Sequence, residues 1–320
     1  STEFRCLFMR ISVIVPTYKR AWSLPYLLDG LINQSVKPDE VVIVLKPSGD
    51  DSEDIIKRYM DKLSINVVIQ SLGYPMDAYN MGIKSASGDI LLFIDDDAIP
   101  HQDWVKRYKE LFNELPNAGA IGGFSYKAFI GDNGLVLTNE PLFINEPTKE
   151  TFYRKPLWDL RDYCRYLAIS GLPSAKPCKG SIIKSVLLMG MNMGFKREAI
   201  EGLDLARVYK GSRRGFHFES YIAYYVVKKG FESYHVIDPN IAPVVWHIES
   251  HRESLTRRPG FWSEFWLHFD RASMYYRLKK LNANVSFTAY LVANLALMRK
   301  EPLPRLLATI YAILYNSLLT

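Results

Sequence analysis

The first hundred residues switch repeatedly between two apolar periods. Residues 11–16, ISVIVP, are an unbroken and largely β-branched run, the pattern of a strand buried on both faces. Leu24, Leu27, Leu28, Leu31 and Ile32 then recur at helical spacing and define one face. The pair of signals repeats. VVIVLK (41–46) reads as a strand, and DSEDIIKRYMDKL (51–63) reads as a helix with acids in its first turn, opened by Asp50 and Asp51. INVVIQ (65–70) is a third strand, MDAYNMGIKSA (76–86) a helix, and DILLFI (89–94) a fourth strand. Strand alternating with helix predicts an α/β fold with a parallel sheet and right-handed crossovers. Ligands of such sheets collect at the carboxyl ends of the strands.

The fourth strand ends in Asp95, Asp96 and Asp97, after which apolar character resumes. Acids after a strand often cap a helix or solvate a turn. Three in succession between apolar residues are harder to explain that way, because mutual repulsion raises their pKa values or calls for a cation. Hard oxygen ligands favour Mg²⁺ or Mn²⁺, and such an ion also grips a diphosphate. The chemistry expected of this edge is one in which a diphosphate leaves.

Composition narrows the picture. The chain has 320 residues, 48% of them apolar, enough for one large domain with an appendage and contrary to wholesale disorder. Cys6, Cys164 and Cys178 are odd in number and scattered, which suggests indifferent thiols in a reducing compartment rather than a disulfide framework. The opening STEFRCLFMR lacks the apolar run of a signal peptide, and Met9 reads as a natural start.

Five segments, in order, resemble the family 2 glycosyltransferases of the GT-A nucleotide-diphospho-sugar transferase fold: SVIVPTYKR (12–20), SASGDILLFIDDDAIP (85–100), GMNMGFKREAI (190–200), FESYIAYYVVKKGF (218–231) and VVWHI (244–248). The resemblance implies a Rossmann-like catalytic domain over 1–250, with a nucleotide-binding half at 11–126 and an acceptor-side half, carrying an insertion, at 127–250. It implies that Pro16, Thr17, Tyr18, Arg20, Leu45, Lys46, Asp95 and Asp96 flank the nucleotide, and that Asp95, Asp97 and His247 hold Mn²⁺ or Mg²⁺. It also implies that Glu219 is the base of an inverting transfer, filling with a longer carboxylate the position of the family's usual Asp. Where many members place an acid against the nucleotide base, this chain has Leu45 and Lys46. That departure leans the expected donor towards GDP-mannose and away from a UDP-sugar.

Residues 127–184 read as a long irregular insertion, with Trp158, Tyr163 and Tyr166 among many charges and SAKPCKG (174–180) as a mobile loop. Such an insertion suits an acceptor wall or a lid, and equally a solvated excursion.

Beyond residue 250 the character changes. Phe261, Trp262, Phe265, Trp266 and Phe269 form one helical stripe flanked by basic residues, followed by two short apolar segments, 285–298 and 303–320. Residues 252–305 hold ten basic and four acidic residues, an excess equal to the whole chain's net charge of +6. Neither apolar segment reaches the roughly 20 residues of a comfortable span. The region 251–320 is therefore expected to be helical and to lie in the plane of an anionic membrane surface, on the cytoplasmic face, near a glycan or lipid-linked acceptor. The bland alternative is a helix packed on the catalytic domain.

Competing functions fit less well. A nucleotidyltransferase predicts a glycine-rich loop where PTYKR stands, and a phosphatase with an aspartate nucleophile places its acids after the first strand. Nucleic-acid binding leaves the triplet and the aromatic stripe unexplained. An inactive membrane scaffold of the same fold leaves Glu219 without a purpose.

Overall fold

Strand and helix alternate through β1 (Ile11–Thr17), α1 (Leu24–Ile32), β2 (Glu40–Leu45), α2 (Ser52–Lys57), β3 (Ile65–Ile69), α3 (Pro75–Ser85) and β4 (Ile90–Ile94). Then follow β5 (Ala98–Pro100), α4 (Trp104–Glu114), β6 (Ala118–Gly122), β7 (Phe124–Gly131), β8 (Gly134–Pro141), β9 (Arg165–Leu167), β10 (Pro173–Ala175), β11 (Ile182–Lys184) and β12 (Asn192–Lys196). The chain continues through α5 (Leu205–Val208), α6 (Phe218–Lys228), β13 (Glu232–Val236), β14 (Val244–Ile248), α7 (Phe261–Lys280), α8 (Phe287–Ala296) and α9 (Pro302–Leu318). The computed structural model describes residues 9–142, 146–249, 260–298 and 302–318. The expectations about the residues before Met9, and those about Arg252, Arg257, Arg258, Arg299 and Lys300, lie outside the described residues.

The main sheet has eight strands in the order β11-β13-β6-β12-β4-β1-β2-β3. Strands β1 to β4 are mutually parallel, and β12 runs antiparallel between β4 and β6. Alternate side chains serve opposite layers, which is why the runs looked continuous. Val13, Val15, Ile43 and Leu92 meet α1 and α4, while Ile14, Val42, Val44 and Phe93 meet α3 and α6. Each fully buried aliphatic side chain contributes about 1.5–3 kcal/mol relative to exposure. Gly82 lets α3 lie against β1, since a Cβ there would stand 2.5 Å from Ile14 Cγ2. Helix α2 is shorter than the 51–63 segment suggests: after Lys57 the amides of Arg58 and Tyr59 bond three residues back, tightening the helix into turns.

A second sheet, β5-β14-β7-β8, grows from the edge beyond β4 and β6. Asn192 joins the two sheets. Its Oδ1 accepts from Trp104 Nε1 (2.8 Å) and Tyr108 OH (2.7 Å), and its Nδ2 donates to the carbonyls of Phe124 and Pro243, both at 2.9 Å. The asparagine of the 190–200 segment is thus wholly buried and structural, and makes no acceptor-facing surface.

The insertion is more ordered than its sequence suggests. Residues 124–141 form the β7–β8 hairpin, and β9 pairs with β10. Tyr163 and Tyr166 are buried, while Trp158 is exposed. The expectation of indifferent thiols is corrected: Cys164 and Cys178 form a disulfide, their Cα atoms 5.6 Å apart. The β9–β10 pairing brings cysteines fourteen residues apart in sequence to one place, which spacing alone did not reveal. This bond removes the argument for a reducing compartment. It also corrects the reading of 174–180 as a mobile loop, since Ser174 and Ala175 lie in β10 and Lys176 Nζ donates to Arg161 O at 2.8 Å.

The aromatic stripe of α7 divides. Phe265 and Phe269 are buried against Tyr311 and Tyr315 of α9, whereas Trp262 is 66% exposed. No helix among the described residues is long and apolar enough to cross a membrane.

Candidate active site

The triplet occupies the turn between β4 and β5, where the main sheet hands over to the second one. Strand β14 pairs antiparallel with β5, setting His247 opposite Ala98, and the Ile248 amide donates to Asp97 O at 2.9 Å. This register delivers His247 Nε2 to 3.1 Å from Asp97 Oδ1 and 3.9 Å from Asp95 Oδ2. Its Nδ1 faces Glu249 Oε1 at 3.4 Å, two residues on and so on the same face of the strand. From the loop after β1, Arg20 Nε reaches Asp96 Oδ1 at 3.2 Å and lies 3.7 Å from Asp97 Oδ2. Ser23 Oγ donates to Asp96 O at 2.8 Å, and Tyr79 OH of α3 donates to Asp95 Oδ1 at 3.4 Å.

Burial pushes the Asp95 pKa up to about 6 and that of Asp96 up to about 8, with the charge of Asp97 adding to both. Burial acts upward on Asp97 too, but its hydrogen bond and ion pair with His247, aided by Arg20, hold it below the ordinary value. Burial alone would lower His247; the hydrogen bond to Asp97, the contact with Glu249 and the charges of Asp97 and Asp95 instead raise it to about 10. In its protonated form His247 joins Arg20 in supplying positive charge to the adjoining aspartates.

Asp95, Asp97 and His247 offer two carboxylate oxygens and one imidazole nitrogen within 4.8 Å of one another. That donor set fits Mn²⁺ or Mg²⁺, the nitrogen favouring Mn²⁺, and metal binding there would release the proton of His247.

Glu219 lies in the first turn of α6, beside this cluster. Burial raises its pKa to about 7, and the charge of Asp95 acts in the same direction. The Tyr79 ring links the two parts, bonded to Asp95 on one side and 4.5 Å from the Phe218 ring on the other. At the carboxyl ends of β1 and β2, Pro16 pairs with Val44 and Thr17 with Leu45. Lys46 Nζ donates to Gly73 O at 2.7 Å and stands 5.4 Å from the centroid of the Tyr18 ring. Leu45 has its side chain in the core, so only its backbone lies at this edge. Asp50 accepts from the Ser52 amide at the start of α2 and from the Ala21 amide at 3.1 Å.

The structure thus brings Arg20, Asp95, Asp96, Asp97, His247 and Glu219 to one place, with Thr17, Tyr18 and Lys46 at the adjoining strand ends. Tyr79 and Glu249 were missed in the sequence. The signal for Glu249 was present as an acid at the i+2 position from His247; for Tyr79 there was none, because a helical tyrosine reads as core.

Comparison with known proteins agrees with this geometry. Residues 12–169 match the sequence profile described as glycosyl transferase family 2. The chain carries a family 2 glycosyltransferase domain. It is 33% identical over 119 residues to chondroitin synthase of Escherichia coli, covering 36% of this chain and 17% of that protein. It is 29% identical over 126 residues to the dolichyl N-acetyl-α-D-glucosaminyl phosphate 3-β-D-2,3-diacetamido-2,3-dideoxy-β-D-glucuronosyltransferase of Methanococcus voltae, covering 37% and 39%. The matches thus span less than two fifths of these relatives' lengths. Among solved structures, Staphylococcus aureus TarS 1–349 in complex with UDP-GlcNAc superposes with a TM-score of 0.53 at 14% identity, covering 94% of this chain and 79% of that one. GalNAc-T7 with UDP, GalNAc and Mn²⁺ gives 0.56 at 11% identity, covering 87% and 56%. At these identities the likeness establishes the GT-A fold of the family 2 domain.

Proposed function

We propose that this protein transfers a hexose from a nucleoside-diphosphate sugar to an acceptor hydroxyl, with inversion at the anomeric carbon. The observation that carries the reading is the convergence of Asp95, Asp97 and His247 beside Glu219, a half-buried carboxylate whose pKa is raised to about 7. The Glu219 carboxylate takes the acceptor proton as the acceptor oxygen bonds to the anomeric carbon, and the nucleoside diphosphate leaves from the opposite face. A divalent cation held by Asp95, Asp97 and His247 would supply charge neutralisation for the departing diphosphate. Arg20 holds Asp96 and Asp97 in place, and Glu249 orients the His247 ring.

The donor proposed is GDP-mannose, because Leu45 and Lys46 stand where an acid would otherwise meet a uracil. A UDP-sugar is the second reading, favoured by relatives such as the poly(ribitol-phosphate) β-N-acetylglucosaminyltransferase TarS, 33% identical over 102 residues. Thermal unfolding with GDP, UDP and their sugar conjugates, with and without Mn²⁺, separates these. One nucleotide is expected to raise Tm, and only with Mn²⁺; at 100 times Kd the stabilisation is about 2.7 kcal/mol. Equal, metal-independent behaviour of every nucleotide would refute the site.

The place of action proposed is an anionic membrane surface. Leu303, Leu306, Leu307, Ile310, Leu314 and Leu318 form an exposed apolar stripe on α9, joined by Phe287, Leu291 and Leu295 of α8. An apolar face of this extent on a soluble domain marks a contact surface, and Lys279 and Lys280 end the neighbouring α7. The protein is expected to float with vesicles containing anionic lipid, and Ile310→Glu with Leu314→Glu to stay behind. Equal flotation of the double variant would remove this face from the proposal.

A further inference from the structure

The segment 211–217, which leads into the base helix α6, is built on unusual backbone. Gly211, Gly215 and His217 all have left-handed backbone, with φ of 86°, 70° and 62°. For His217 that conformation is strained, and it comes two residues before Glu219. Helix α6 begins with no side-chain cap. What templates the segment comes from the far end of the chain, on α7.

Asp270 of α7 is wholly buried. Its Oδ2 accepts from Ser212 Oγ at 2.8 Å and from the Phe216 amide at 3.0 Å. Its Oδ1 accepts from Arg277 Nη2 at 2.9 Å, and the Arg277 guanidinium lies 3.8 Å from the centroid of the Tyr209 ring. Ser212 Oγ in turn accepts from the Gly215 amide at 2.9 Å and the Arg214 amide at 3.3 Å. Two more contacts run from the segment to α7: Arg214 Nη1 donates to Ser263 O at 3.1 Å, and Arg213 lies 4.3 Å from the Trp266 ring centroid. A buried carboxylate that accepts three hydrogen bonds, one of them within an ion pair, is costly to assemble, and here its backbone partner is an amide three residues before Glu219.

We propose that Asp270, acting through Ser212 and the Phe216 amide, is the positioning residue that holds Glu219 against the acceptor. The C-terminal helix α7 is then a working part of the catalytic unit as well as a support for the apolar helices α8 and α9. The proposal rests on Glu219 being the base.

Replacing Asp270 strips Arg277 of its buried partner and endangers folding, so the test uses Ser212→Ala, which leaves that pair intact, with Ser212→Thr as the variant that restores the hydroxyl. The probe reaction is Mn²⁺-dependent hydrolysis of GDP-mannose and of UDP-N-acetylglucosamine, in which water takes the place of the acceptor and yields free sugar and nucleoside diphosphate. Rates are normalised to the fraction of folded protein that binds the nucleotide. Ser212→Ala is expected to lower kcat about 10- to 100-fold with donor KM within about twofold of wild type, as follows from a displaced catalytic group. Ser212→Thr is expected to recover most of the rate. Wild-type kcat in Ser212→Ala, while Glu219→Gln is inactive, overturns the positioning role and leaves the base reading standing. A raised KM with unchanged kcat also overturns it, since the segment would then serve donor binding. If Glu219→Gln hydrolyses as fast as wild type, the base reading falls and takes this proposal with it.

Discussion

Glu219→Gln loses sugar transfer and keeps donor binding. The amide matches the carboxylate in shape but cannot accept a proton, so kcat is expected to fall by about 10²–10⁴, the range for a positioned general base. The nucleotide-dependent rise in Tm should be unchanged, because Glu219 is not part of the metal-ligand cluster. The pH profile gives a second reading. Burial sets the Glu219 pKa to about 7, so the ionised fraction and kcat rise together as pH increases through that region and level off above it. A cation at the Asp95 cluster cancels the repulsion from Asp95, so in Mn²⁺ the limb lies at or below this value. The glutamine variant should show no such limb. Wild-type kcat in the variant would sink the assignment.

Asp97→Ala abolishes the Mn²⁺-dependent part of donor binding. Asp97 is the only one of the three aspartates whose pKa is held low, which makes it the carboxylate most fully charged and ready for a cation. Without it His247 keeps Glu249 at 3.4 Å but has only Asp95, at 3.9 Å, on its Nε2 side. A single carboxylate and an imidazole make a poor divalent-metal site. The expected result is no Mn²⁺-dependent shift in Tm with any nucleotide, and transfer at background. Loss of the Asp97 charge also removes the second largest upward influence on Asp95 and Asp96, so both should titrate lower than in the wild type. A retained Mn²⁺-dependent shift would mean that the metal binds elsewhere.

Much of this could be read locally. The runs 11–16, 41–46 and 89–94 are strands because closely spaced apolar residues buried on both faces favour little else, the β-branched run 65–70 is a half-exposed edge strand, and the helix at 24–32 follows from its leucine spacing. The carboxylate triplet announced a cationic need from its own electrostatics. Family resemblance supplied His247 and Glu219, which no local rule could have selected. Residues 127–184 defied reading because their order comes from pairings that no apolar period announces: a hairpin, a short β9–β10 ladder and a disulfide between cysteines that sequence spacing left unmatched.

By itself, then, the sequence determined the parallel α/β core, the edge that bears the chemistry and the sign of the charge missing there, since all three follow from side-chain period and Coulomb repulsion between neighbours. Only the tertiary structure decided what answers that charge. The β5–β14 register carries His247 across some 150 residues of chain to Asp97, and the loop after β1 brings in Arg20. It also decided that half of the aromatic stripe on α7 is core and that Asp270 of the same helix reaches the base segment. Such contacts lie between residues far apart in the chain, and their energies arise only when separate layers meet.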